Sequence, residues 1–191
     1  MKVLDARSVS KFDELCACLA EQVISSGFKP DIVVGIARGG SYVVTSMTLL
    51  GGLPQVHVKA QRAGTKVKTK LKLEKIVSLF PSWFANTVRI LEVYYREFSF
   101  LLKGRSAEQR EAIIVDGHFE FNDSANSILI VDDAVDSGST MVTVESLVRE
   151  VFPQADIKVA AICTTFRNPI CQVDYVLYKR AIVKFPWSLD S

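Results

Sequence analysis

The chain has 191 residues, 49% of them hydrophobic and 23% charged, with a formal net charge of +2. That length and composition exclude a disordered, collagenous or low-complexity chain and suit one domain that buries its own core without disulfide staples. Cys16, Cys18, Cys163 and Cys171 show no C-x-x-C spacing and only two histidines accompany them, which argues against a zinc site or a disulfide framework and for a reducing, cytoplasmic setting.

No apolar run follows a basic patch at the start, so no signal peptide is expected. A helix is predicted over Ser8 to Ser26, because Phe12, Leu15, Leu19 and Val23 share one face and Gly27 supplies a stop. Ile32 to Ile36 is a continuous apolar run, the pattern of a strand covered on both faces. The turn Ala37-Arg38-Gly39-Gly40 leads into a predicted helix over Ser41 to Leu50, and Val56 to Val58 reads as a short strand.

The segment from Lys59 to Lys75 carries seven lysines and arginines against Glu74 alone, so it holds +6 and leaves −4 on the rest of the chain. Such a segment suits a polyanion such as phosphate or pyrophosphate, or a solvated loop, and is expected to be a loop containing a hairpin. The net charge gives no broad basic face, so nucleic acid is not an expected partner. The most apolar stretch runs from Ile76 to Leu102, and its longest charge-free window, 76–88, is too short to span a bilayer, so no membrane partner is expected.

Ser82 to Lys103 reads as an unusually aromatic helix. Asp116-Gly117, between 113–115 and 118–121, is a hairpin signal. Strands are predicted over Ser127 to Val131, Ile157 to Cys163 and Val173 to Tyr178, and a helix over Ser139 to Phe152. Strands alternating with helices give an α/β domain with a mostly parallel central sheet flanked by helices.

The chemistry concentrates in Ile128-Leu129-Ile130-Val131-Asp132-Asp133-Ala134-Val135-Asp136-Ser137-Gly138-Ser139-Thr140. A buried strand runs into two acids, a third acid lies three residues on, and a small polar turn opens a helix. Ligands of open parallel sheets bind at the carboxyl ends of strands. Backbone N–H groups at the helix start, with the hydroxyls of Ser137, Ser139 and Thr140, suit a phosphate. The acids repel phosphate and suit ribose hydroxyls, Mg²⁺ or proton transfer. A Walker B reading fails because no G-x-x-x-x-G-K-[ST] is present, and too little chain follows Asp132 for a response-regulator receiver.

This run closely resembles the phosphoribosyl-pyrophosphate (PRPP) motif of type I phosphoribosyltransferases. Asp31 to Gly40 resembles the pyrophosphate-binding loop of that family, and the basic segment lies where the family keeps a mobile loop that closes over PRPP. The tail, with Thr165-Phe166-Arg167-Asn168-Pro169, Val173-Asp174-Tyr175-Val176 and Phe185-Pro186-Trp187, is similar to that of bacterial xanthine-guanine phosphoribosyltransferases, where it forms a small hood over a 6-oxopurine.

The resemblance implies a Mg²⁺-dependent transfer of 5-phosphoribosyl from PRPP to a nitrogen base, with pyrophosphate released. It implies Arg38, Gly39 and Gly40 at pyrophosphate, and Asp132 and Asp133 at the ribose hydroxyls and metal. It implies Ala134, Val135, Ser137, Gly138, Ser139 and Thr140 around PRPP, and Asp136 as general base. Arg167, Asn168, Ile182, Val183 and Trp187 fall at base-binding positions.

Two positions depart from the family. Asn168 stands where a lysine contacts the purine oxygen, and Ile182 where an aromatic ring stacks on the base. A longer departure is an insertion over about 73–122. It is expected to be a helical lid, an interface between two copies of the chain, or a helix packed on its own domain. A non-catalytic PRPP or nucleotide sensor on the same fold is the alternative reading, since fold does not fix function.

Overall fold

The computed structural model describes residues 1–62, 82–105, 110–119 and 125–188. Lys66, Lys68, Lys70, Lys72 and Lys75, and the hairpin expected around them, lie outside the described residues. Strand β1 is Lys2–Asp5 and helix α1 is Val9–Ser25. Ser8 caps α1 by accepting from the Lys11 N–H at 3.4 Å, and Gly27 leaves the helix with φ of +86°. Phe12, Cys16, Leu19, Ala20 and Val23 form its buried face.

Strand β2 is Ile32–Ile36, helix α2 is Gly39–Ser46 and β3 is Gln55–Arg62. Thus α2 is shorter than the sequence predicts and is followed by a separate 3-10 turn, Thr48–Leu50. Helix α3 is Ser82–Leu102, β4 is Arg110–Asp116, β5 is Ser127–Val135 and α4 is Ser139–Val151. The chain ends in β6 (Asp156–Thr164), β7 (Tyr175–Lys179) and β8 (Ala181–Lys184).

Six strands form one sheet in the order β4-β3-β2-β5-β6-β7, parallel except for β4. β2 lies between β3 and β5, and all five of its residues are buried. Side chains alternate across it, so Val33 joins a cluster with α1 and α2 while Ile32, Val34 and Ile36 join one with Met141, Val144 and Val148 of α4. Asp31 ties the entry of β2 to that of β5 by accepting from the Asn126 and Ser127 N–H groups at 2.8 and 3.0 Å.

Among the described residues the hairpin expected at Asp116-Gly117 between 113–115 and 118–121 does not form; residues 120 and 121 lie outside them. β4 pairs antiparallel with β3 instead, while His118 and Phe119 are not in a strand. β3 pairs with β4 from Arg62–Arg110 to His57–Asp116, with a register shift that passes over Val115, a longer ladder than a short strand beyond a two-residue turn could offer.

β1 and β8 make a separate parallel pair, with Lys2 opposite Ala181 and Asp5 opposite Lys184. The two ends of the chain are joined there, as the Ala6 N–H donates to the Lys184 carbonyl at 2.9 Å. Among the described residues no helix is long and apolar enough to cross a membrane.

Candidate active site

The carboxyl ends of β2 and β5 lie side by side, and the turns that follow them meet. Gly39 and Gly40 open α2 against β5. A Cβ on Gly39 would stand 2.1 Å from Cγ of Asp133, and one on Gly40 would stand 2.3 Å from the Val131 carbonyl oxygen. No side chain larger than hydrogen fits at either position, so two glycines bring the 37–40 turn onto the acidic strand. The peptide between Ala37 and Arg38 is cis.

Asp132 and Asp133 are mostly buried at the end of β5. Each carboxylate folds back on its own backbone: Asp132 accepts from the Asp133 N–H, and Asp133 from the Ala134 N–H, both at 2.9 Å. Burial, reinforced by the neighbouring Asp133 charge, holds the Asp132 carboxyl well above the usual carboxylate range. Burial also raises Asp133, against opposing hydrogen bonds from Asp132, the Ala134 N–H and the Trp187 indole.

Among the described residues no group of three or more His, Cys, Asp or Glu is arranged to enclose a metal ion. The acid pair meets a different demand. Magnesium binds through one or two carboxylates and takes its other oxygens from substrate and water. Two adjacent carboxyls whose ionisation is suppressed by burial fit a divalent cation that arrives with a diphosphate.

The next turn opens α4. Gly138 has φ of +87°, and a Cβ there would stand 2.7 Å from Sγ of Cys171, so conformation and space both require glycine. Ser137 and Ser139 face each other with hydroxyl oxygens 3.0 Å apart. The first turn of α4 carries no acid, which leaves its N–H groups and dipole favourable to an anion.

A cavity of about 550 Å³ lies over this turn. Asp132, Ala134, Val135, Asp136, Ser137, Gly138, Ser139 and Thr140 line one side of it, so one side is drawn from a single stretch of sequence. The other side comes from α3 and its end, through Tyr95, Arg96, Ser99, Phe100 and Lys103, with Phe166 beside them. Sequence reasoning missed these residues. Their signal was present as the spacing of Arg96, Ser99, Phe100 and Lys103, which puts them on one helix face. Nothing in the sequence said what that face would meet.

Four sets of contacts hold α3 across the cavity. Arg96 is ion-paired with Asp136, whose other oxygen accepts from the Thr165 hydroxyl. Glu97 accepts from the Arg180 guanidinium and from the Arg167 N–H, the latter at 2.6 Å. Arg180 also donates to the Thr165 carbonyl at 3.1 Å and lies 5.1 Å from the ring centre of Tyr94. Phe100 packs on Phe166 with ring centres 5.8 Å apart, and Arg105 donates to the Asn168 carbonyl at 3.0 Å.

The base-binding positions fall in two places. Arg167 and Asn168 lie under α3 and engage it through backbone groups. Ile182 and Val183 lie in β8, outside the cavity wall, with Val183 in the core. Trp187 packs in an aromatic cluster, edge-on to Phe12 at 5.0 Å, stacked on Phe185 at 5.1 Å and tilted against Tyr42 at 4.8 Å. Arg38, Gly39, Gly40 and Asp133 do not line the cavity.

A family model described as the phosphoribosyl transferase domain matches residues 8–188. Among solved structures the chain is similar to a purine phosphoribosyltransferase from Pyrococcus horikoshii Ot3, with 20% identity, a TM-score of 0.60, and 98% of this chain and 95% of that one covered. It is also similar to a xanthine-guanine-hypoxanthine phosphoribosyltransferase from Helicobacter pylori, with 16% identity, a TM-score of 0.63 and the same coverage of 98% and 95%. A third similar structure is a hypothetical protein from Neisseria gonorrhoeae with bound ppGpp, with 14% identity, a TM-score of 0.57 and coverage of 98% and 90%. No curated protein matches the chain. At these identities the structural likenesses establish the fold.

Proposed function

The chain belongs to the phosphoribosyl transferase domain family, and from that premise we propose that it transfers 5-phosphoribosyl from PRPP to a nitrogen base, a 6-oxopurine before others, in nucleotide salvage. The observation that carries this reading is the Asp132–Thr140 turn at the carboxyl end of β5, where an acid pair and an anion-accepting helix start share one cavity.

In this reading Ser137 to Thr140 hold the 5′-phosphate through backbone N–H groups and hydroxyls. Asp132 and Asp133 hold the ribose hydroxyls, and their charge stabilises the cation that develops on the sugar as the C1–O bond breaks. Gly39 and Gly40 let backbone N–H groups approach the departing pyrophosphate, and Arg38 adds a cationic donor there. Asp136 accepts the proton from the acceptor nitrogen. Asp132 and Asp133 would hold a magnesium ion, which when bound would supply charge neutralisation to the leaving group.

Domain organisation is part of the same proposal: one domain over 1–191, with an insertion of about 73–122 that supplies α3. So is a homodimer. Leu91, Phe98 and Leu102 on α3, with Ile113 and Val115 on β4, are exposed apolar surface of the kind a second copy covers. Light scattering reads this directly, and a monomer at micromolar concentration removes it.

The test of the activity is pyrophosphate release with PRPP, Mg²⁺ and hypoxanthine, guanine, xanthine, adenine, uracil or orotate, with PRPP binding followed by calorimetry. Turnover with an oxopurine is the expected result. PRPP binding without turnover on any base favours the alternative, a PRPP or nucleotide sensor, which the pairing of Asp136 with Arg96 supports. Absence of PRPP binding overturns the site.

A further inference from the structure

Among the described residues, the β5 side of the cavity offers a phosphate no cation. The ionisable groups lining its β5 side are Asp132 and Asp136, and both repel a dianion. The helix start at Ser137 to Thr140 offers neutral donors and a partial positive charge, which oppose that repulsion only in part. Among the described residues, the cations lining the cavity are Arg96 of α3 and Lys103 just beyond its end, on the same helix face as Ser99.

We propose that α3 is the second wall of a phosphomonoester site. Arg96, Ser99 and Lys103 hold the outer oxygens of a sugar 5-phosphate whose inner oxygens are held by Ser137 to Thr140. This rests on the phosphoribosyl reading above and extends it to residues outside the sequence motif.

Three features carry it. Arg96 and Lys103 put positive charge on the wall facing the helix start, while the carboxyls lie on the β5 side where hydroxyls would bind. That is the charge pattern of a phosphosugar, with hydroxyls at one set of groups and phosphate at the other. Next, Arg96 is already positioned by Asp136, and that ion pair engages Nη2 of a guanidinium whose N–H donors are spread over three nitrogens. One side chain therefore serves the acid and the phosphate together. Last, the Glu97, Phe100 and Arg105 contacts anchor α3 on the 165–180 region, so its cavity face is fixed before a ligand arrives.

Calorimetry with ribose 5-phosphate tests the site without a base and without turnover. Lys103→Ala is expected to weaken binding about tenfold or more, the scale of one charge-assisted hydrogen bond, and Lys103→Arg to restore it to within about threefold of the parent protein. Arg96→Gln with Lys103→Ala is expected to weaken it about a hundredfold. Lys11→Ala, on α1 and outside this cavity, is expected to change nothing. If the parent chain binds ribose 5-phosphate and Lys103→Ala and the double variant bind it equally well, α3 is not part of the site while the motif reading stands. If Lys11→Ala weakens binding as much as Lys103→Ala, the effect is diffuse charge and the inference falls. If the parent chain binds neither ribose 5-phosphate nor PRPP, the phosphoribosyl reading fails and takes this one with it.

Discussion

Arg96 and Asp136, 40 positions apart in sequence, are joined by an ion pair that closes α3 onto the turn after β5. Their side chains are 47% and 31% exposed, so the pair contributes no more than about 1 kcal/mol to stability. Its consequence is positional. It puts a permanent cation beside the acid proposed as general base, and it brings α3 into the wall of the cavity.

Asp136→Asn keeps the shape of this contact and removes the proton acceptor. Transfer is expected to slow by about 10²–10⁴-fold, the usual worth of a general base, with PRPP affinity nearly intact. Single-turnover kinetics alongside calorimetry separate the two. A transfer rate equal to that of the parent protein takes Asp136 out of this role.

The acid pair trades stability for binding. Both carboxyls hold their protons more tightly in the folded chain than at their ordinary value of 3.8. The folded state therefore binds more protons than the unfolded one above that value, and stability falls as pH rises through the window up to the raised folded values. In metal-free buffer Asp132→Asn is expected to raise Tm at neutral pH, by about 2–4 °C for each kcal/mol of relief, and the gain should shrink as pH falls towards 4. The same variant combined with Asp133→Asn is expected to lose PRPP binding. A Tm difference that does not vary with pH removes the burial argument, and unchanged PRPP affinity removes the site assignment.

Gly27 and Gly138 have the same left-handed backbone, with φ of +86° and +87°, and differ in surroundings. Nothing lies within 4 Å of a Cβ on Gly27, whereas one on Gly138 meets Cys171 Sγ at 2.7 Å and its backbone N at 2.9 Å. Gly27→Ala is expected to cost about 1–2 kcal/mol from conformation alone. Gly138→Ala should cost clearly more and weaken ribose 5-phosphate binding. Urea titration of the two variants measures the difference. Equal costs would mean that the 170–171 backbone yields to the added methyl.

The four cysteines divide by environment. Burial pushes the Cys16 thiol up to about 12 and the Cys171 thiol up to about 11, and raises Cys163 further still. Cys18 is exposed. A thiol reagent at pH 8 is expected to modify one cysteine per native chain quickly and all four in denaturant. Fast reaction of a second thiol would show that one of the buried sites opens.

Most of the parallel sheet was legible because its strands are apolar without interruption and its helices are amphipathic. Ile32 to Ile36 and Ile128 to Val131 announce strands covered on both faces, since only such strands tolerate a run with no polar residue in it. The motif side of the cavity was legible for a related reason: Asp132 to Thr140 are contiguous, so their proximity is fixed by covalent connection. β1 and β8 were not legible. Each has four residues and gains its hydrogen bonds only from the other end of the chain. The hairpin signal at Asp116-Gly117 misled because a turn sequence does not say whether its flanks pair with each other or with a third strand, and β3 offered β4 the longer ladder. Sequence by itself therefore determined most of the parallel sheet and the contiguous 132–140 turn with its acids, all of which follow from local pattern. Tertiary structure alone decided that α3 lies over that turn, because the Arg96–Asp136 and Glu97–Arg180 pairs join residues 40 and 83 positions apart, and contacts at such separations leave no period in the chain to read.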